Sequence, residues 1–374
     1  MTIQMVDLKS QYLKIKNEID AALINCVEST RYIKGPEVKQ FEENLGKYLG
    51  VNHVISCGNG TDALQIALMA MDLQPGDEVI VPAFTYVATA EAIALLKLTP
   101  VMVDVEPDTF NIDVNAIEQA ITHKTKAIVP VHLYGQSSDM EPIMKLAEKH
   151  KLFVIEDNAQ ALGAETVFSD RTIKKTGTIG HIGCNSFFPT KNLGTFGDGG
   201  ALTTNDEKLA ERCRMIASHG QKQKYYHETI GCNSRLDTIH AAILNVKLKY
   251  LDSYIAARQK AAEYYYKNLS ELNWLTLPNK ATYANHSFNQ FTLKIKNGKR
   301  DALQDYLKQN GIPSIIYYPL PLYKQPAFQQ YIPYNFKLEN TETLCSSVLS
   351  ILMHTELTSE IQDKVIYTIK KFEN

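Results

Sequence analysis

The chain has 374 residues, 44% of them hydrophobic and 21% charged, an ordinary globular composition with length for a large core and a second domain. A formal net charge of -2 and a pI near 6.6 argue against nucleic acid or an anionic membrane surface as a partner. Met1 to Asp7 carries no basic segment followed by an apolar run, so no signal peptide is expected, and Lys97 interrupts the best apolar stretch, Ala92 to Leu98. The six cysteines (Cys26, Cys57, Cys184, Cys213, Cys232 and Cys345) show neither a C-x-x-C pair nor zinc spacing. They read as reduced thiols in a cytoplasmic protein without a metal site.

The opening segment reads as a helical arm closed by a turn at Gly35-Pro36. Val/Ile-rich runs bounded by turn residues then predict strands at 51–57, 78–82, 101–105, 127–132, 153–156, 185–188 and 200–204. Helical spacing of apolar residues predicts helices between them at 61–71, 86–96, 113–121 and 140–150. This alternation argues for an α/β fold with a large, mostly parallel mixed sheet flanked by helices. From 235 to 272 the pattern becomes one or two long helices. A strand at 287–295, a helix at 299–310, a strand at 312–318, a proline-rich loop at 319–326 and two closing helices follow. The expected organisation is an arm plus large domain over 1–245 and a smaller C-terminal α+β domain over 246–374.

Three local patterns carry chemistry. Cys57-Gly58-Asn59-Gly60-Thr61-Asp62-Ala63 follows a strand and opens a helix, so backbone amides and the Thr61 hydroxyl can meet an anion. It also fits G-x-G-x-x-A, but Asp77 and Glu78 precede the next strand instead of ending it, which disfavours a dinucleotide. A plain N-cap by Thr61 is the other reading. Asp157 and Gln160 close the apolar run that starts at Phe153. A carboxylate at that sheet edge can hold a pyridine nitrogen protonated, and Gln160 can donate to a phenolic oxygen; a helix cap by Asp157 is the structural alternative. Lys191 lies between an apolar strand and the glycines Gly194, Gly197, Gly199 and Gly200. A desolvated amine there is a nucleophile; an exposed surface lysine is the alternative. Ser186 is a second phosphate donor, and Phe84 or Tyr86 can stack on a flat ring. Together these residues point to pyridoxal phosphate (PLP) chemistry.

The ordered motifs resemble one family over nearly the whole chain. They are Gly58-Asn59-Gly60-Thr61-Asp62-Ala63-Leu64, Phe84-Thr85-Tyr86-Val87-Ala88-Thr89-Ala90-Glu91, Val131-His132-Leu133-Tyr134-Gly135-Gln136, Glu156-Asp157-Asn158-Ala159-Gln160, the Lys191 run, Asn233-Ser234-Arg235-Leu236-Asp237 and Tyr318-Pro319-Leu320-Pro321-Leu322. The family is the DegT/DnrJ/EryC1/StrS sugar-nucleotide aminotransferases, of PLP fold type I. The resemblance implies that Lys191 is the Schiff-base lysine, Asp157 the pyridinium partner, Gln160 the O3' donor and Tyr86 the stacking aromatic. Gly60, Thr61 and Ser186 match phosphate ligands. Asn233 matches a phosphate ligand given to the neighbouring subunit, which implies a homodimer with shared sites. Val6 to Gln11 and His219 to Asp237 look most like the subgroup that aminates UDP-2-acetamido-2-deoxy-3-oxo-D-glucuronate at C3 with L-glutamate, for surface polysaccharide. Arg235 would pair with a uronate or glutamate carboxylate, or else with Asp237 structurally. Tyr317 and Tyr318 fall at the sugar site, and here the chain departs from the subgroup, with Tyr317-Tyr318-Pro319 in place of His-Tyr-Pro.

Other functions remain to be separated. A dTDP-3-keto-6-deoxyhexose aminotransferase would not need a cation for a uronate. A PLP-dependent dehydratase would carry histidine at the Lys191 position. A regulatory module of the same fold would not need Lys191, Asp157 and Gln160 together. A nicotinamide dehydrogenase rests only on the glycine pattern.

Overall fold

The β-branched runs form the middle of the molecule because they can be covered on both faces. In the computed structural model, which describes residues 3–333 and 335–372, seven strands make one sheet. Their order is His53–Cys57, Gly200–Thr204, Ile182–Ser186, Phe153–Asp157, Thr125–Ile128, Glu78–Pro82 and Thr99–Val103. Neighbours are parallel except around Gly200–Thr204, which runs antiparallel to the strand on either side. Alternation sorts the side chains. Val79 and Val81 pack with helices Gly60–Ala70, Ala88–Leu95 and Glu207–Ile216 on one face. Ile80, Ile128 and Val154 pack with Val114–Ala120 and Met140–His150 on the other. The helices Pro36–Leu49 and Thr238–Leu248 cover the remaining part of that sheet through Phe41, Leu45, Ala241 and Leu244.

Leu251–Leu269 leads to a three-stranded antiparallel sheet of Leu275–Thr276, Phe291–Ile295 and Val348–Ile351. Tyr265, Phe291, Leu293, Leu303 and Ile369 form its core with helices Arg300–Gln309 and Ser359–Lys371. The boundary expected at 245 falls inside the helix Thr238–Leu248.

Two expectations are corrected. Residues 312–318 do not form a strand; Ile315 makes a single bridge to Ser350. Pro313 has no N–H to give a ladder, and the run that takes the place is the fully buried Val348–Ile351, within what reads in sequence as closing helices. The expected strand at 127–132 stops at Ile128, ahead of Pro130. Among the described residues no helix is long and apolar enough to cross a membrane, and no cluster of His, Cys, Asp or Glu could hold a metal ion.

Candidate active site

The carboxyl ends of the parallel strands bring the sequence motifs together. Phe153–Asp157 ends in two acids, and alternation sends them to opposite faces. Asp157 is 6% exposed. Its N–H donates to the Pro130 carbonyl at 2.9 Å, and its carbonyl accepts the His132 N–H at 3.1 Å. Its Oδ2 accepts the Thr89 hydroxyl at 2.8 Å and its Oδ1 the Ala159 N–H at 3.2 Å. The chain turns here without starting a helix, so the carboxylate caps a turn, not a helix.

Glu156 faces the other way. Its carboxylate accepts the N–H groups of Gly177, Ile179 and Gly180 at 2.8, 2.7 and 2.6 Å, and meets His132 Nε2 at 2.9 Å. His132 Nδ1 accepts the Ser138 N–H, so the ring proton sits on Nε2 and points at Glu156. This buried network clamps the 177–180 loop to the strand, leaving Asp157 as the acid at the site.

Lys191 stands on a tight loop. Its N–H donates to the Phe188 carbonyl at 2.9 Å, and Thr195 N–H to the Phe187 carbonyl at 2.8 Å. A Cβ on Gly194 would lie 2.3 Å from the Pro189 carbonyl oxygen, so glycine is required to close the loop. The lysine is half-buried overall, but its amine is removed from water. Burial pushes its pKa below that of an ordinary lysine, and the Asp157 charge opposes the shift.

At the anion cradle the alternative role for Thr61, a plain N-cap, is not realised. The helix Gly60–Ala70 is capped by Asn59, whose side chain accepts the Asp62 N–H at 2.8 Å. The Thr61 hydroxyl is left without a hydrogen bond among the described residues. A Cβ on Gly60 would come within 2.8 Å of the Ser186 Cβ, so this glycine lets the helix end close on Ser186. Amide donors, a spare hydroxyl and a serine then converge, which suits a phosphate.

Aromatic side chains form the adjoining wall. Tyr86 is 58% exposed, its ring 6.3 Å from that of Tyr318. Phe84 is buried and packs edge-on against Tyr318 at 6.0 Å. Gln160 accepts the Tyr134 N–H at 2.7 Å and donates to the Tyr318 hydroxyl at 3.2 Å. Burial raises the pKa of both Tyr317 and Tyr318, and Asp157 adds to the effect on Tyr318. The Tyr317 carbonyl accepts the Tyr134 hydroxyl.

Asn233 and Arg235 flank Ser234, beside the Gly58–Asp62 segment. Asn233 is exposed and pairs its backbone with Ser218. Between them Ser234 accepts the Gly58 N–H at 2.8 Å and donates to Asp62 at 2.6 Å. Arg235 lines a 260 Å³ cavity with Lys34, Lys39, Arg214 and Ser218. It forms no ion pair among the described residues, so the structural alternative with Asp237 is not realised. The larger cavity, 600 Å³, lies between Met144, Leu152, Phe153 and His181, toward the opposite end of the Asp157 strand.

Thr89, His132, Tyr134 and Ser234 lie within the sequence motifs, but their roles as supports of the site emerge only from these contacts. Thr89 carries no signal of its own in the sequence: it shares its helix with an exposed Glu91, and only the docked helix shows that its hydroxyl is buried and needs a partner.

Comparison with known proteins gives the family and the fold. The profile of the DegT/DnrJ/EryC1/StrS aminotransferase family matches residues 13–370. The chain is 46% identical to a Geobacillus stearothermophilus protein named "Pleiotropic regulatory protein", over 100% of this chain and 99% of that one. It is 44% identical to the UDP-2-acetamido-2-deoxy-3-oxo-D-glucuronate aminotransferase of Pseudomonas aeruginosa, over 95% of this chain and 96% of the relative. A dTDP-3-amino-3,4,6-trideoxy-alpha-D-glucose transaminase of Streptomyces venezuelae is 38% identical, over 99% and 96%. Among solved structures, S. venezuelae DesV in complex with a ketimine intermediate superposes with a TM-score of 0.95 at 38% identity, covering 99% and 98% of the two chains. Bacillus subtilis NtdA with bound cofactor PMP gives 0.90 at 33%, covering 99% and 85%.

Proposed function

We propose that this chain, which belongs to the DegT/DnrJ/EryC1/StrS aminotransferase family, converts UDP-2-acetamido-2-deoxy-3-oxo-D-glucuronate to its 3-amino sugar with L-glutamate as donor. As a member of that family the chain is a sugar-nucleotide aminotransferase and uses pyridoxal phosphate. When bound, that cofactor supplies an aldehyde for amines and a protonated ring that takes up the electrons of a broken C–H bond.

The observation that carries the assignment of roles is the Lys191 amine, desolvated and in the field of Asp157. A lowered pKa leaves more of the amine unprotonated, able to hold the aldehyde carbon and to carry a proton to and from the substrate carbon. Asp157 would keep the ring nitrogen protonated. Gly60, Thr61 and Ser186 would hold the phosphate, Tyr86 would stack on the ring, and Gln160 would donate to its phenolic oxygen. Asn233 would reach the phosphate of a second copy, making the working unit a cytoplasmic homodimer with shared sites. Arg235, without an ion pair of its own, would read a carboxylate of the uronate or of glutamate. Tyr317 and Tyr318 would contact the sugar, and the product would serve surface polysaccharide.

A panel of UDP- and dTDP-linked keto sugars tests the substrate. The expected result is glutamate-dependent amination of the UDP-uronate and a selective loss with Arg235→Ala. Preference for a 6-deoxy dTDP sugar would replace the uronate reading with that suggested by the S. venezuelae relative. The name of the G. stearothermophilus relative favours a regulatory role as a second reading. No spectral change of the bound cofactor with any amino acid would support that one, against the presence of Lys191, Asp157 and Gln160.

A further inference from the structure

Helix Ala88–Leu95 is almost wholly apolar on its inner side, and Thr89 is the exception. It is 1% exposed. A buried hydroxyl must find a partner, and this one donates to Asp157 Oδ2 at 2.8 Å. The other oxygen of that carboxylate receives a longer bond, 3.2 Å, from Ala159 N–H. The shorter donor to Asp157 therefore comes from a helix outside the strand and turn that carry the acid.

The pair formed by Asp157 and a pyridine nitrogen can hold its proton in two places. On nitrogen, both partners are charged and the ring draws electrons. On the carboxyl, both are neutral and the ring draws them poorly. Burial penalises the charged arrangement, whereas a hydrogen bond to the carboxylate favours it. Charge also strengthens such a bond, so the Thr89 hydroxyl binds the carboxylate better than the neutral acid. The titratable groups facing Asp157 from other elements are Lys191, Tyr318 and Cys184, and the Asp157 charge acts on each of them. None of the three donates a hydrogen bond to its oxygens among the described residues; Thr89 does.

We propose that Thr89 is a positioning residue that keeps the proton of this pair on the ring nitrogen. The inference rests on the reading that Asp157 faces that nitrogen. It extends the reading to a residue that acts through Asp157.

The test uses the holoenzyme loaded with cofactor labelled with ¹⁵N in the ring. Thr89→Val keeps the shape and removes the donor; Thr89→Ser keeps the donor. The nitrogen resonance should stay at the protonated position in wild type and Thr89→Ser, and move toward the unprotonated position in Thr89→Val. In the same variant kcat should fall on the order of tenfold with KM for the keto sugar little changed, the signature of a lost transition-state effect. An unmoved resonance in Thr89→Val overturns the proposal. If Thr89→Val does not fold, Thr89→Ala is read by the same criterion. Asp157→Asn separates the two levels: an unmoved resonance there removes the assignment of Asp157 itself, and with it the role of Thr89.

Discussion

Lys191 and Lys247 are both lysines taken out of water, and their surroundings differ in what they can do. Lys247 is 3% exposed, in the last turn of helix Thr238–Leu248. Burial and the nearby Arg258 charge push its pKa down to about 8. Its amine donates to the Gly194 carbonyl and lies 5.7 Å over the Phe196 ring. Arg258 is held in a similar way, by the carbonyls of Phe288, Asn289 and Met353 at 3.2, 3.2 and 3.0 Å. These cations are solvated by backbone dipoles and tie loops together. Lys191 sits on the loop that Lys247 holds, but its electrostatic partner is a carboxylate at a sheet edge. Desolvation alone therefore does not make a lysine reactive; what it is aimed at decides the role.

The sharpest way to break this contrast is to exchange the fates of the two amines. Lys191→Ala should reduce transamination by more than about three orders of magnitude and abolish the visible band of the bound cofactor, with the fold intact by circular dichroism. Lys247→Met should keep the band. The opposite pattern would reverse the assignment. Next in size is the partner: Asp157→Asn keeps the shape but removes the charge, and kcat should fall on the order of a hundredfold. Full activity in that variant would mean that Lys191 works without the acid. Smaller still, Thr61→Ala and Ser186→Ala should each weaken cofactor binding about tenfold, as loss of one charge-assisted bond does. Equilibrium dialysis of the apoprotein reads this, and unchanged affinity in both would move the phosphate elsewhere.

One side of this contrast is legible in the amino-acid sequence and the other is not. The Val/Ile runs mark strands whose edges lie within a few residues of those observed, because side-chain periodicity locates an element better than its ends. Asp157 and Lys191 stand out because an acid and a lysine at the ends of apolar runs are out of place unless used. Lys247 does not, since in sequence it is one of several lysines in the long helical run from 235 to 272, and only packing shows that it faces inward. Thr89 is hidden for a similar reason: its partner is far along the chain, and the hydroxyl gains meaning only when the helix docks. The 312–318 segment reads wrongly as a strand because it is rich in Ile and Tyr, while Pro313 and the competing run Val348–Ile351 decide the pairing.

The smallest expected effect on activity is also the one that isolates Lys247. In the unfolded chain its amine should titrate near the ordinary 10.5, and in the folded protein near 8. Below pH 8 both states carry the proton, and the penalty for burying the charge is fully present. Between about 8 and 10.5 the unfolded state binds more protons than the folded one, so stability rises with pH. The slope is at most about 1.4 kcal/mol per pH unit. Above that window both forms are neutral and the gain is complete. Lys247→Met removes the titrating group and keeps most of the buried volume. It also strips the Gly194 carbonyl of a donor, which costs about 1–3 kcal/mol and offsets part of the relief from losing a buried charge. The stability of wild type minus that of Lys247→Met, from urea unfolding, should therefore be flat below pH 8 and climb above it. Tyrosines and cysteines titrate in the same range, but they are common to both proteins and leave the difference. A difference that stays flat to pH 10.5 would show that the Lys247 amine is hydrated in solution. The two lysines would then differ in burial as well as in partner, and the Gly194 loop would owe its rigidity to Asn192 and Thr195 instead.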